Sequence, residues 1–379
     1  MPLLRASPSD YTAVVKSLAV AGAAVSNPQG SRPPSKSSVA LVSASRLAAI
    51  VKNSYFTMPR IILPTGPVDP NYTTYEMSLF VSANFWVANF TRDAAGNLYG
   101  RLMTQNFNLY KIAPNGTQTF IAGNGVVNGS FIPGVGTAAR FDNTMEKFVI
   151  DSFGNLFTLS NQTDRIIKIE PNGNATIYAG TGVSGYNDGD RTAATFSSPS
   201  GIAIDASNTL YVQDYARQAI RKITSAGQVS TLTFSSTFTP NFYNIAVDSN
   251  GILYAIDWNL HRVYKITPTG PTTADIALLA GSTQGYANGQ GSAAQFNFDP
   301  TSGLCVDTFG NVYVADSGNG SIRKITPSGR VSTIAGNGTL PGNSENSNTQ
   351  LYYPSSVSVD VNGVVYTGQF DVRKITPVS

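Results

Sequence analysis

Residues Gly201–Leu232 hold four short apolar runs: GIAID (201–205), LYVQD (210–214), IRKIT (220–224) and VSTL (229–232). Residues Gly303–Ile334 repeat them in the same order as GLCVD (303–307), VYVAD (312–316), IRKIT (322–326) and VSTI (331–334). Each run has the length and composition of a strand, and turn residues such as Phe309-Gly310-Asn311 and Pro327-Ser328-Gly329 separate them. Four strands joined by tight turns and recurring at about fifty residues describe one blade of a β-propeller.

Working outward, an Asp ends the first strand of every copy: Asp93, Asp151, Asp205, Asp248, Asp307 and Asp360. The intervals are 58, 54, 43, 59 and 53 residues, and the variation falls in the connection from one copy to the next. That connection is long after Gly123, Gly180, Gly281 and Gly336 and short after Leu232. Inside the long connections Gly185-Tyr186-Asn187-Asp188-Gly189 leads to Phe196, Gly285-Tyr286-Ala287-Asn288-Gly289 leads to Phe296, and Gly134-Val135-Gly136 leads to Phe141. One Phe at a fixed place in each predicts a wedge between neighbouring blades.

The repeated unit (hydrophobic-Asp, Gly-Asn-hydrophobic-Tyr-Val, Asp, Ile-Arg-Lys-Ile, Gly, Val-Ser-Thr-Ile-Ala-Gly) resembles the NHL family over about residues 84–377. The copies at Asp205 and Asp307 match most fully, while the first, second and sixth lack the Asp that ends the second strand. The resemblance implies an all-β, six-bladed propeller over residues 70–379, with residues 1–69 as a separate N-terminal arm.

The sixth copy has three strands, VSVD (357–360), VVYT (364–367) and VRKI (372–375), and stops at Ser379. A bare edge there would invite aggregation. The segment Glu76, Met77, Ser78, Leu79, Phe80, Val81 precedes the first full copy and alternates as Val331–Ile334 does. It is expected to close the ring as the outer strand of the sixth blade, antiparallel to Val372–Ile375.

Residues 1–69 hold seven Lys/Arg and two acids, +5, whereas the remainder holds 18 bases and 20 acids, −2. Short helices are expected over Asp10–Ala24 and Ser38–Lys52, a linker over Asn27–Pro34, and an extended path through Pro59, Pro64, Pro67 and Pro70. The stretch Ser7–Thr12 (SPSDYT) is similar to the opening of some structural proteins of large DNA viruses of algae and protists. A packed or loosely ordered arm is the plain reading; an apolar, basic docking arm is the functional one.

Charged residues are 12% of the chain, about half the usual share. The single Cys305 allows no intrachain disulfide and no thiolate zinc cluster, and reads as a small hydrophobe in an apolar run. No apolar run reaches the roughly 18 residues of a membrane helix, and Asp10 and Lys16 read against a secretory signal. Among NHL relatives, amidating lyases hold a metal through several histidines; this chain has one, His261, so no metal and no cofactor is expected. Asn187-Asp188-Gly189-Asp190 opens like a calcium loop, but its sister loops supply fewer carboxylates, which favours a hydrogen-bonded turn. Some NHL propellers bind RNA through a basic face; a ring of net −2, with its Arg-Lys pairs inside third strands, reads against nucleic acid. Eight Asn-x-Ser/Thr sequons exceed only slightly the roughly six expected by chance in so Asn- and Ser/Thr-rich a chain.

These observations favour a non-catalytic binding or structural propeller over an enzyme. Its contact rim is expected at Phe107, Tyr186, Tyr215, Trp258, His261 and Tyr286, aromatic groups among uncharged polar ones that suit protein or glycan partners. The arm would tie the ring to a larger protein assembly, at a virion surface or outside the cell. The rival is a lyase or lactonase with carboxylates around a metal in the central channel.

Overall fold

The computed structural model describes residues 74–81, 87–102, 107–126, 129–142, 147–235, 241–340, 350–368 and 371–378. The chain divides into two units, Met1–Tyr72 and Thr73–Ser379. The first lies outside the described residues, and with it both expected helices, the linker, the proline path and the viral-type opening.

Among the described residues the second unit is six sheets, four of five strands and two of four, antiparallel except where Thr233–Phe234 runs parallel to Thr273–Gly281. Five are continuous in sequence. Blade 1 begins at Val87–Arg92, blade 2 at Phe148–Ile150, blade 3 at Pro199–Ile204, blade 4 at Phe242–Val247 and blade 5 at Leu304–Val306. Blade 6 takes Ser356–Val359, Val365–Gly368 and Val372–Val378, and its outer strand is Thr74–Val81. That strand runs antiparallel to Val372–Val378, with Met77 opposite Ile375 and Ser78 opposite Lys374. Tyr75 and Met77 pack between blades 5 and 6, while Phe80 packs edge-on to Tyr366 on the blade 1 side. Alternation gives the strand a face for each cleft, and Leu79, at the register shift before Val81, is exposed.

First strands line the middle and pack against one another around the ring, Ser356–Val359 meeting Val87–Arg92 to complete it. Six apolar clusters fill the six clefts between blades. The close approach needs glycine where the first strands begin: a Cβ on Gly201 would stand 2.9 Å from the Tyr243 carbonyl of the next blade. Wedge residues Phe141, Phe196 and Phe296 are buried as the spacing predicts.

Because successive strands alternate in direction, the first-to-second turns gather at one end of the channel, the turn end. The second-to-third loops and the long inter-blade connections gather at the other, the loop end. At the turn end each marker Asp organises a hairpin. The Asp307 carboxylate accepts N–H bonds from Phe309 and Asn311 on one oxygen and bonds from Asn311 Nδ2 and the Tyr313 hydroxyl on the other. Gly310 follows at φ 79°, the left-handed turn position that Asn208 fills at φ 59° in blade 3. This is why the repeat reads Asp, Gly-Asn, hydrophobic-Tyr. Burial and the neighbouring carboxylate push the Tyr211 and Tyr254 phenols up to about 12.

Candidate binding surface and central channel

The long connections are stapled by arginine. In blade 3 the buried Arg221 donates to Asp214 Oδ2 at 3.0 Å and to the Thr195 carbonyl at 2.8 Å. Its other nitrogen reaches the Asn187 carbonyl and Asp188 Oδ1, at 2.9 and 2.7 Å, while the guanidinium lies over Phe196. In blade 5 Arg323 makes the same set with Asp316, Gln295, Ala287 and Asn288, over Phe296 and Tyr286. Burial raises the Asp214 and Asp316 carboxyls, and the arginine and amide donors oppose it. The calcium-like stretch is thereby explained. Asp188 bridges Arg221 to Thr231 on the outer strand, as Asn288 bridges Arg323 to Thr333, so the position needs an oxygen acceptor and not a charge. Asp190 caps Thr192 within its own turn.

Blades without the second-strand Asp obtain the same bonds differently. In blade 2 the carboxylate moves to the connection: Asp142 follows the wedge Phe141 and accepts from Ser160 Oγ, which stands at the end of the second strand. In blade 6 Asp371 pairs with Arg373 at 2.7 Å.

The six expected rim residues stand in two settings, Phe107, Tyr215, Trp258 and His261 in second-to-third loops and Tyr186 and Tyr286 in inter-blade connections. Phe107 and His261 occupy the last position of their second-to-third loops, both left-handed, as do Asp164 and Gln218. Asp164 Oδ1 accepts the N–H of Ser198, two residues beyond Phe196; His261 Nδ1 accepts the N–H of Phe298, two residues beyond Phe296. The imidazole therefore does the work of a carboxylate, latching one blade to the connection that follows it. Burial lowers its pKa, against the pull of Asp316 and Asp257, and favours the neutral ring that this bond requires. Trp258 packs on the cluster between blades 4 and 5 with its indole N–H unpartnered. Tyr215 stands edge-on to Tyr243 at 5.5 Å. Tyr186 is exposed beneath Arg217 of the second-to-third loop of blade 3, and Tyr286 reaches Thr333 on a fourth strand.

A channel of about 280 Å³ runs between the first strands. Among the described residues that line it, the charged ones are Arg92 and Lys147, both basic; no Asp, Glu or His faces it. A second cavity, about 620 Å³, opens at the turn end beside Asp93, Asp151 and Asp205, whose oxygens already accept from their own hairpins. No group of three or more metal-ligating side chains occurs among the described residues. Cys305 lines the channel half-buried, and burial pushes its thiol pKa up, away from thiolate reactivity.

The model of the teneurin NHL domain matches residues 182–340, which cover blades 3 to 5. Those three blades match the NHL family. In solved structures this six-bladed propeller is similar to an auxiliary nutrient binding protein from Bacteroides ovatus, with 15% identity, TM-score 0.57, and 81% of this chain and 78% of that one covered. A second, from Bacteroides thetaiotaomicron, has 13% identity, TM-score 0.57, and 80% and 76% covered. Virginiamycin B lyase from Staphylococcus aureus has 12% identity, TM-score 0.51, and 80% and 100% covered. Identities this low establish a shared fold alone. A comparison with curated proteins gave no match. No described helix is long and apolar enough to cross a membrane. Of the sequons, Asn319 is buried with its amide bonded to Asp316 and Gly285, so it is no glycan acceptor in the folded ring.

Sequence reading passed over four polar residues at the loop end, of which Lys147 and Asn244 line the channel. Lys147 reaches from blade 2 to the Tyr243 carbonyl of blade 4, at 3.3 Å, with its ammonium 4.6 Å from the Tyr243 ring. Asn244 lines the channel beside it. Ser200 Oγ and both polar atoms of the Gln213 amide are buried without a partner. The available signal was Gln213 itself, an uncharged polar residue where blades 2, 4 and 5 carry Leu159, Ile256 and Ala315, blade 1 Arg101 and blade 6 Gly368.

Proposed function

We propose that this propeller is a non-catalytic binding module that holds a protein or glycan partner at its loop end, and that residues 1–69 attach it to a larger assembly. One observation carries the reading. The described channel lining offers no carboxylate or imidazole for acid–base or metal chemistry, and the marker Asp residues are engaged by their hairpins. The lyase or lactonase alternative requires inward acids around a metal, and it shares with this chain only the fold of its solved examples. The +5 charge of the arm supports attachment, and its opening hexapeptide supports a virion as that assembly.

The test is a screen of the full-length protein on glycan arrays and by capture from its native source, repeated with Tyr186→Ala/Tyr286→Ala. Saturable binding that the double substitution weakens supports the peripheral rim. Turnover of lactone or cyclic-ester substrates by purified protein sinks the non-catalytic reading.

A further inference from the structure

We infer that His261 is a pH-operated latch: protonation of its imidazole releases the connection between blades 4 and 5 from blade 4, while the matching connection between blades 2 and 3 stays fastened.

Each of these connections is tied just beyond its wedge phenylalanine by two successive backbone N–H groups. In the blade 2–3 connection the Ser197 N–H goes forward to Asp214 Oδ1 of blade 3 and the Ser198 N–H goes back to Asp164 Oδ1 of blade 2, both at 2.7 Å. In the blade 4–5 connection the Asn297 N–H goes forward to Asp316 Oδ1 of blade 5 at 2.7 Å. The Phe298 N–H goes back to His261 Nδ1 of blade 4 at 3.1 Å. The forward ties are alike, and the backward ties differ in kind. A carboxyl group keeps an acceptor oxygen whether or not it is protonated, whereas an imidazole nitrogen accepts only while it is bare.

Because Nδ1 accepts, the neutral ring carries its hydrogen on Nε2. A proton taken up from solvent must then bind at Nδ1, the atom that holds the Phe298 N–H. Two donors face each other, and the N–H of a residue only 3% exposed loses its acceptor. The charged groups around the ring come from both blades. Asp257 ends the second strand of blade 4 and Asp316 that of blade 5, Arg323 pairs with Asp316 at 2.7 Å, and Arg262 follows His261 in the chain. Both carboxylates attract the imidazolium, but burial outweighs them and sets protonation below the ordinary histidine range. His261 is the chain's one histidine, so no other side chain with an ordinary pKa titrates between pH 7.5 and pH 5.

On release the connection keeps its bonds from Asn288 to Arg323 and Thr333 of blade 5 and loses its tie to blade 4. Tyr286 lies in that connection, so a partner held there would bind more weakly at pH 5 than at pH 7.5. This consequence rests on the binding reading above; the latch itself does not.

The experiment is hydrogen exchange of the full-length protein read by mass spectrometry at pH 7.5 and pH 5, with each rate divided by the intrinsic rate at that pH. It compares wild type, His261→Asn and His261→Phe. Asparagine tolerates the left-handed position and offers an oxygen that does not titrate, while Phe107 holds the same position in blade 1 without an acceptor. Circular dichroism establishes that each variant is folded. In wild type the protection of residues 282–298 should fall roughly tenfold from pH 7.5 to pH 5, as loss of a hydrogen-bond partner implies, while residues 181–198 hold theirs. His261→Asn should keep 282–298 protected at both pH values, and His261→Phe should leave it weakly protected at both. Burial raises the Asp214 and Asp316 carboxyls alike, so protonation of the forward ties would move the two connections together. Equal falls in the two connections, no fall over 282–298 in wild type, or a fall that persists in folded His261→Asn overturns the latch.

Discussion

At the turn end of the channel the Asp307 carboxylate takes four hydrogen bonds from its own hairpin, whereas at the loop end Gln213 is buried with both ends of its amide unpartnered. The apolar groups are distributed the other way. Phe153 and Phe309 are 75% and 79% exposed on turn-end hairpins, at a position where other copies have Ala95, Ser207, Asn250 or Asn362. At the loop end Phe196 and Phe296 are fully buried under Arg221 and Arg323. The turn end is made mostly of contacts within each hairpin, with Arg92–Asp360 and Ser152–Asn208 joining neighbouring blades. The loop end is made of contacts between blades, and there polar groups are left over.

The sharpest way to separate the two is to open the ring. Deleting residues 75–82 removes the closing strand and the packing of Tyr75, Met77 and Phe80. The melting temperature should drop by roughly 10 °C or more in calorimetry, since about 1 kcal/mol shifts a domain of this size by a few degrees; an unchanged melt would refute closure by this strand.

Next is the loop-end staple. Arg323→Met leaves Asp316 buried without its ion pair, and breaking such a pair costs about 3–5 kcal/mol. Urea unfolding should register this loss. With the guanidinium gone, only the Asn319 and Asn297 amides still oppose burial, and the Asp316 carboxyl should rise further. Asp307→Ala at the turn end strips only local bonds and should cost about 1–3 kcal/mol in the same assay. A larger loss for Asp307→Ala than for Arg323→Met would reverse the contrast drawn between the ends.

His261 offers a finer comparison. Its folded pKa lies below the ordinary histidine value, so the stability it contributes is complete above about pH 6.5 and is lost as pH falls through the folded value. Melting temperature should therefore decline between pH 7 and pH 5 in wild type. His261→Asp copies the acceptor that Asp164 supplies, and should keep wild-type stability at pH 7 while removing this decline. A wild-type slope that persists in His261→Asp would place its origin elsewhere. The smallest effect belongs to the exposed turn end: Phe153→Ser and Phe309→Ser should each change stability by no more than about 0.5 kcal/mol. A loss above about 1 kcal/mol in urea unfolding would mean those rings pack on the ring after all.

The repeat made much of this legible in advance. Blade number, the marker aspartates, the Phe wedge and the closing strand follow from periodicity and from the need to cover an edge, both of which are written along the chain. The pairing of Arg221 and Arg323 with Asp214 and Asp316 was readable for the same reason, because the partners recur together. The site was less readable. Tyr186 and Tyr286 lie in connections that run outward to the fourth strands before they return, whereas Tyr215 stands in a second-to-third loop. Nor could His261 be distinguished from a ligand contact until its equivalence to Asp164 was seen in space.

By itself, the sequence determined the six-bladed ring and its closure, because both arise from local strand patterns repeated in order. Only the tertiary structure decided which polar groups are spent on the fold and which remain. Lys147 of blade 2 reaches the Tyr243 carbonyl of blade 4, and Gln213 of blade 3 is enclosed beside that carbonyl because Gly201 lets the strands approach. The strand Glu76–Val81 shows both sides: its alternation announced an outer strand, while only the fold showed that Tyr75 and Met77 meet blade 5 and Phe80 the blade 1 side.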